Sequence, residues 1–89
     1  MNAIWKYPLS WLGWGEFKIM MPKGAKLLTV MAQDGVPMLW ALVDVHESHV
    51  PRSISIVGTG HIFVAGIHVA SLQSGQFVWH LLDLGEEAS

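Results

Sequence analysis

The chain has 89 residues, 52% of them hydrophobic and only 13% charged, with a net charge of −2 and no cysteine. That length suits one domain, the lack of cysteine excludes disulfides, thiolate zinc and a cysteine nucleophile, and so few basic residues cannot build the phosphate-neutralising stripe that duplex nucleic acid requires. An average domain carries roughly 25% charged residues, so this chain holds more apolar area than a small fold can hide, and a homo-oligomeric interface is the expected destination for the excess.

In chain order, residues 2–9 are rich in β-formers (Ile4, Trp5, Tyr7) and carry Pro8, which has no amide hydrogen for a ladder, so they predict a first strand. Met1 to Pro8 has no apolar run followed by a small-residue cleavage site and does not read as a signal peptide. Residues 10–15, S-W-L-G-W-G, form a connection. Glu16 to Met21 predicts a second strand, closed by the turn Pro22-Lys23-Gly24.

Ala25 to Gln33 and Val36 to Val45 predict a third and a fourth strand, joined at Asp34-Gly35, a strong short-range hairpin signal. Both are apolar on both faces: on the fourth, Met38, Trp40 and Leu42 oppose Leu39, Ala41 and Val43. Pro37 places the turn end of that strand at a sheet edge or a bulge.

His46 to Val50 reads as a polar loop, and Arg52 to Gly58 as a fifth strand with Ile54 and Ile56 inward. Gly58-Thr59-Gly60-His61 interrupts it, and Ile62 to Ala65 is expected to resume as a short strand. The last strands, Gly66 to Leu72 and Gln76 to Leu84, meet at Gln73-Ser74-Gly75. No Asp, Glu, Lys or Arg occurs from Ser53 to Leu82, yet glycines, serines and three histidines break the stretch, so strands and turns are expected there and a membrane span is not. The sequence therefore predicts an all-β, compact antiparallel β-sandwich or barrel of about seven short strands. Residues 1–84 form the single domain, and the acidic residues 85–89 are a tail expected to fray.

Several pieces, in this order, resemble a family of small, functionally uncharacterised phage and prophage proteins: I-W-K-Y-P-L at Ile4 to Leu9, M-P-K-G-A-K-L-L at Met21 to Leu28, D-G-V-P-M-L-W-A-L-V-D at Asp34 to Asp44, G-T-G-H at Gly58 to His61 and F-V-W-H at Phe77 to His80. The chain departs from the family pattern at S-W-L-G-W-G and at His46 and His49. The resemblance implies a phage origin and supplies no catalytic or ligand residues. Small accessory phage proteins often block host defences, so the host cytoplasm is the implied location.

Candidate site residues follow from side-chain chemistry. Trp11 and Trp14, in a glycine-flanked link, suit anchors for a protein partner or a flap folded back over the core. Gly58-Thr59-Gly60-His61 suits an anion nest of backbone amides with the Thr59 hydroxyl and the His61 imidazole, or a simple glycine-bent turn. Arg52, the only arginine, would complete a phosphate site if it folds near that turn. His68 and His80 lie on consecutive strands. A three-residue loop puts them opposite each other, as an anion-binding or pH-responsive pair, and a two-residue loop sends them to opposite faces. Asp44-x-His46-Glu47-x-His49 falls one residue short of the two-histidine zinc spacing and reads as a solvated loop, so no metal and no cofactor is expected.

No nucleophile elbow, P-loop or dinucleotide fingerprint is present, so a non-enzymatic role is expected. The expected function is a stoichiometric binder that opposes a host defence system. It would do so either by occluding a host protein or by sequestering a small nucleotide signal on Arg52, Thr59, His61, His68 and His80. The alternative is a structural or scaffolding component of the phage particle or of another phage protein.

Overall fold

The structure is a computed structural model, describing residues 1–9 and 13–87. Its seven strands are β1 (Asn2–Pro8), β2 (Gly15–Pro22), β3 (Lys26–Gln33), β4 (Val36–Asp44), β5 (His49–Gly58), β6 (Ile67–Ser74) and β7 (Phe77–Glu86). All pair antiparallel, in a three-stranded sheet of order β1-β4-β3 and a four-stranded sheet of order β2-β5-β7-β6. The two layers make the predicted all-β fold a sandwich, and its 19 Å shortest extent suits two sheets stacked about 10 Å apart.

Strand alternation sorts the side chains. Leu27 and Val30 of β3 and Leu39, Ala41 and Val43 of β4 face Ile19 and Met21 of β2, Ile54 and Ile56 of β5 and Trp79 and Leu81 of β7, and all are buried in one core. Burial of each large side chain contributes about 1.5–3 kcal/mol. The other face of β4 is also apolar: Met38, Trp40 and Leu42 lie half-buried between β1 and β3, beside the exposed Ile4 and Met31.

The turns explain where the strands begin and end. Asp34 and Gly35 both have positive φ (51° and 79°), the two-residue hairpin geometry whose twist matches the strands it joins. Pro37 is in the central strand of its sheet, not at an edge. It is tolerated because the β1 ladder ends at Pro8↔Met38 and the Pro37 carbonyl takes the Leu9 amide (2.9 Å), leaving little demand for a proline N–H.

Four boundaries differ from the sequence reading. β5 starts at His49 rather than Arg52, because β2 is long enough to pair its Met21 and Pro22 with Val50 and His49. Ile62 to Ala65 is not a strand: β5 already lies between β2 and β7, and β7 between β5 and β6, so the segment crosses the sheet as a loop. The last hairpin turns on Gly75-Gln76, with Ser74 paired to Phe77 and Gly75 at φ 61°. β7 runs past residue 84 into the acidic segment. Gly85 and Glu86 continue β7 opposite Ser53 and Arg52, and Glu87 donates its amide to the Pro51 carbonyl (2.9 Å). Ala88 and Ser89 lie outside the described residues.

Candidate functional site

The outer face of the four-stranded sheet is crossed by the loop of residues 59–66. Its entry is a tight turn: the His61 amide donates to the Gly58 carbonyl (3.0 Å), with Gly60 at φ 90°. The His61 imidazole folds back so that its Nδ1 accepts the Gly58 amide (3.0 Å), in space that a side chain on Gly58 would fill. The loop leaves through Gly66 (φ 128°), whose backbone lies so close to Leu82 that an added Cβ would come within 2.9 Å of it. Leu82 is thereby buried on the face of the sheet away from the core (1% exposed).

Beneath the loop, a cleft of about 250 Å³ is lined by Val57 and Gly58 of β5, Thr59, Gly60, His61 and Phe63 of the loop, His68 of β6 and His80 and Leu82 of β7. A chain of hydrogen bonds runs along it. Thr59 Oγ1 donates to the Val78 carbonyl (3.2 Å) and contacts His80 Nε2 (3.0 Å). His80 Nδ1 meets Ser71 Oγ (2.6 Å), and Ser71 Oγ meets His68 Nε2 (2.9 Å). The rings of His68 and His80 stand 5.6 Å apart.

A β-bulge makes this geometry. With Ser74 opposite Phe77, a regular ladder pairs His68 with Asp83 and turns it to the core-side face, as a two-residue loop demands. Between His68 and Ala70 the register shifts by one residue, so that His68 sits opposite Leu82 and shares a face with His80 after all. Ser71, the centre of the chain, was missed from sequence for the same reason. Three residues from His68, it belongs on the opposite face of a regular strand.

Four of the expected ligand residues, Thr59, His61, His68 and His80, therefore line one cleft. Arg52 does not join them. It lies seven residues from Thr59 along the chain, about 23 Å at 3.3 Å per strand residue. It is fully engaged there: its Nε and Nη2 donate to the two carboxylate oxygens of Asp83 (2.9 and 2.7 Å) and its Nη1 to the Ala25 carbonyl (2.6 Å). These bonds hold the guanidinium in its charged form, while Asp83 is held below the usual carboxylate range, first by Arg52 and also by the Gly85 amide. The anion nest is not available either, since the amides of Gly58, Thr59 and His61 are spent on His61 Nδ1, the Val78 carbonyl and the Gly58 carbonyl.

Trp14 is about half exposed and meets the His61 ring edge-on (5.7 Å between centroids), at the mouth of an apolar groove of about 270 Å³ that also involves Leu9, Ile56, Phe77 and Trp79. Trp11 lies outside the described residues. On its upper side the loop carries Ile62 (96% exposed), Val64 (101%) and, at its end, Ile67 (75%), with Phe77 (63%) exposed on β7. His46 and His49 sit apart from the cleft, His46 in the turn after β4 and His49 edge-on to Trp5. Among the described residues no group of three or more His, Asp or Glu is placed to hold a metal ion, and no helix is long and apolar enough to cross a membrane.

The chain belongs to the family described as a domain of unknown function (DUF7352), whose family model matches residues 1–89. No curated protein and no solved structure matches it.

Proposed function

We propose that the protein is a non-enzymatic binder, used by a phage in the host cytoplasm against a host defence system, and that it acts by occluding a host protein. The observation that carries this reading is the upper side of the 59–66 loop. Ile62 and Val64 stand essentially free of the fold at 96% and 101% exposure, on a backbone pinned at one end by the His61–Gly58 contacts and at the other by Gly66 against Leu82. A loose loop pays an ordering cost on binding; one held down at both ends presents apolar side chains with little more to lose. Trp14 and the exposed Phe77 beside it supply the aromatic anchors that protein interfaces favour. The resemblance of the sequence motifs to small phage proteins supplies the setting.

The test is capture of a host protein from lysate by the intact chain, compared with the double variant Ile62→Ser, Val64→Ser. Both side chains touch little in the fold, so the variant should melt as the parent does and lose the captured protein. Capture that survives the substitution, or no capture by either form, overturns the reading. Sequestration of a small nucleotide, the other form of the same role, would use the cleft beneath the loop.

A further inference from the structure

We infer that the cleft beneath the 59–66 loop binds a phosphate-like oxyanion and takes up a proton as it does so. Anion binding in the cleft is independent of what the upper side of the loop docks onto, and shares with the nucleotide form only the place where a ligand would sit.

The hydrogens along the chain of contacts are fully determined. The Val78 carbonyl only accepts, so the Thr59 hydroxyl hydrogen is spent on it. Thr59 Oγ1 must then receive the Nε2–H of His80, which leaves Nδ1 of a neutral His80 as a lone pair. Ser71 donates to that lone pair, so Ser71 Oγ must in turn receive the Nε2–H of His68. With neutral rings this is the one assignment that satisfies all four contacts, and it commits both hydroxyl hydrogens inward.

One added proton reverses the middle of the chain. With a hydrogen on Nδ1, His80 donates to Ser71 Oγ, whose two lone pairs accept from both imidazoles, and the Ser71 hydroxyl hydrogen is released. The cluster then offers one free O–H donor beside a cationic ring: the Ser71 hydroxyl makes the charge-assisted bond to an oxyanion, and the His80 ring, whose two N–H groups are held by Thr59 and Ser71, contributes its charge. The rings of His68 and His80 stand 5.6 Å apart, so an anion seated beside them lies close to the charge on the His80 ring. Anion and proton therefore bind with positive coupling.

Nothing charged nearby pre-empts the anion. β5 presents Val57 and Gly58, the loop presents His61, β6 presents His68, β7 presents His80, and among the described residues no carboxylate, lysine or arginine lines the cleft. Asp83 points to the other face of β7, where Arg52 holds it. His61 adds a fixed donor, because its Nδ1 accepts the Gly58 amide and its Nε2 must carry the hydrogen. Phe63, half exposed, offers a flat apolar wall beside these donors.

Sulfate is the probe for the proton, because it does not itself titrate in the range where imidazoles change charge, about pH 5 to 8. Calorimetric titration of the full chain with sulfate, in two buffers of different ionisation heat, should show binding about tenfold or more tighter near pH 6 than near pH 8. The buffer dependence of the heat should report uptake of about one proton. Ser71→Ala, at an exposed position, should keep the fold and weaken sulfate about tenfold, with His80→Gln acting in the same direction and His46→Ala leaving binding unchanged. Inorganic phosphate and adenosine monophosphate then separate the sources: tighter binding of the nucleotide assigns Phe63 to a base, and equal binding assigns the site to the phosphate group alone. No sulfate binding, equal affinity at the two pH values, or indifference to Ser71→Ala overturns the inference. Capture of a host protein by the loop is untouched by any of these results.

Discussion

Arg52 and Asp83 close the end of the sandwich opposite the cleft with a two-pronged ion pair, at 2.9 and 2.7 Å, across the β5–β7 seam. The third guanidinium nitrogen reaches the Ala25 carbonyl at the start of β3, so one side chain ties the two sheets together. Glu86 adds a second tie by accepting the Gly24 amide (2.9 Å). Both partners of the ion pair are well covered, with side chains 11% and 17% exposed. Loss of one partner therefore leaves a poorly solvated charge. Asp83→Asn is expected to lower stability by about 2–3 kcal/mol at neutral pH, read by urea unfolding.

The same pair sets an acid limb. The Asp83 carboxyl is held below the usual carboxylate range by the Arg52 hydrogen bonds, against the opposing effect of burial. A depressed folded-state value stabilises the fold fully above the unfolded-state value of about 3.9 and loses that contribution as pH falls through the folded-state value. Arg52 stays charged throughout. Melting temperature should drop below about pH 4 in the parent, and the drop should be shallower in Asp83→Asn; identical acid limbs would contradict the assignment.

Gly66 holds the loop over the sheet, and its backbone leaves no room for a side chain. Gly66→Ala combines a φ of 128° with a Cβ 2.9 Å from that of Leu82 and 3.1 Å from Leu84 Cδ2. It should cost about 2 kcal/mol or more and lift the loop off Leu82. Gly60→Ala, at φ 90° but with open space around it, should cost only the backbone strain, about 1 kcal/mol. Amide exchange across residues 59–66 distinguishes the two: fast throughout in Gly66→Ala, near parental in Gly60→Ala.

What could be read from sequence divides along the same physical line. The Asp34-Gly35 hairpin was legible because two positive φ values demand those residue types locally. The last connection was placed at Gln73-Ser74-Gly75 rather than at Gly75-Gln76 because Gln73, Ser74 and Gly75 all suit turns, and only the register shows that Gly75 takes the first central position. The His68–His80 pairing lay beyond any spacing rule, since one extra residue in β6 restores what the short loop denies. Arg52 was assigned to phosphate because its partner, 31 residues away in sequence, cannot be seen without the β5–β7 pairing.

His61 couples the turn to Trp14. The imidazole occupies the space over Gly58, 3.0–3.3 Å from where a Cβ would stand, and meets Trp14 edge-on. Gly58→Ala displaces the far end of a flexible side chain rather than backbone, so the stability cost should be modest, about 1 kcal/mol. The indole N–H resonance of Trp14 should nevertheless shift, as the ring loses its imidazole neighbour. A Trp14 resonance unmoved by Gly58→Ala would show that the contact does not persist in solution.

The face of the three-stranded sheet away from the core carries the last prediction. Met38, Trp40 and Leu42 line its central strand, Ile4 on β1 (61% exposed) and Met31 on β3 (52%) flank them, and Lys6 lies over the Trp40 ring at 5.9 Å. The Trp40 indole nitrogen is shielded from solvent without a hydrogen-bond partner among the described residues, so this face is already costly as it stands. A sheet face this apolar on a chain with 13% charged residues is expected to self-associate, which would cover Ile4 and Met31 at little entropic expense because the strands are already ordered. Light scattering should therefore give a mass above the 9.8 kDa of one chain, with a melting temperature that rises with concentration. Ile4→Lys combined with Met31→Lys changes two exposed positions, leaves the core untouched, and should return the chain to a monomer whose melting temperature is independent of concentration. If the parent itself is a monomer at about 100 μM, where even a micromolar dimer would be populated, this face does not mediate self-association.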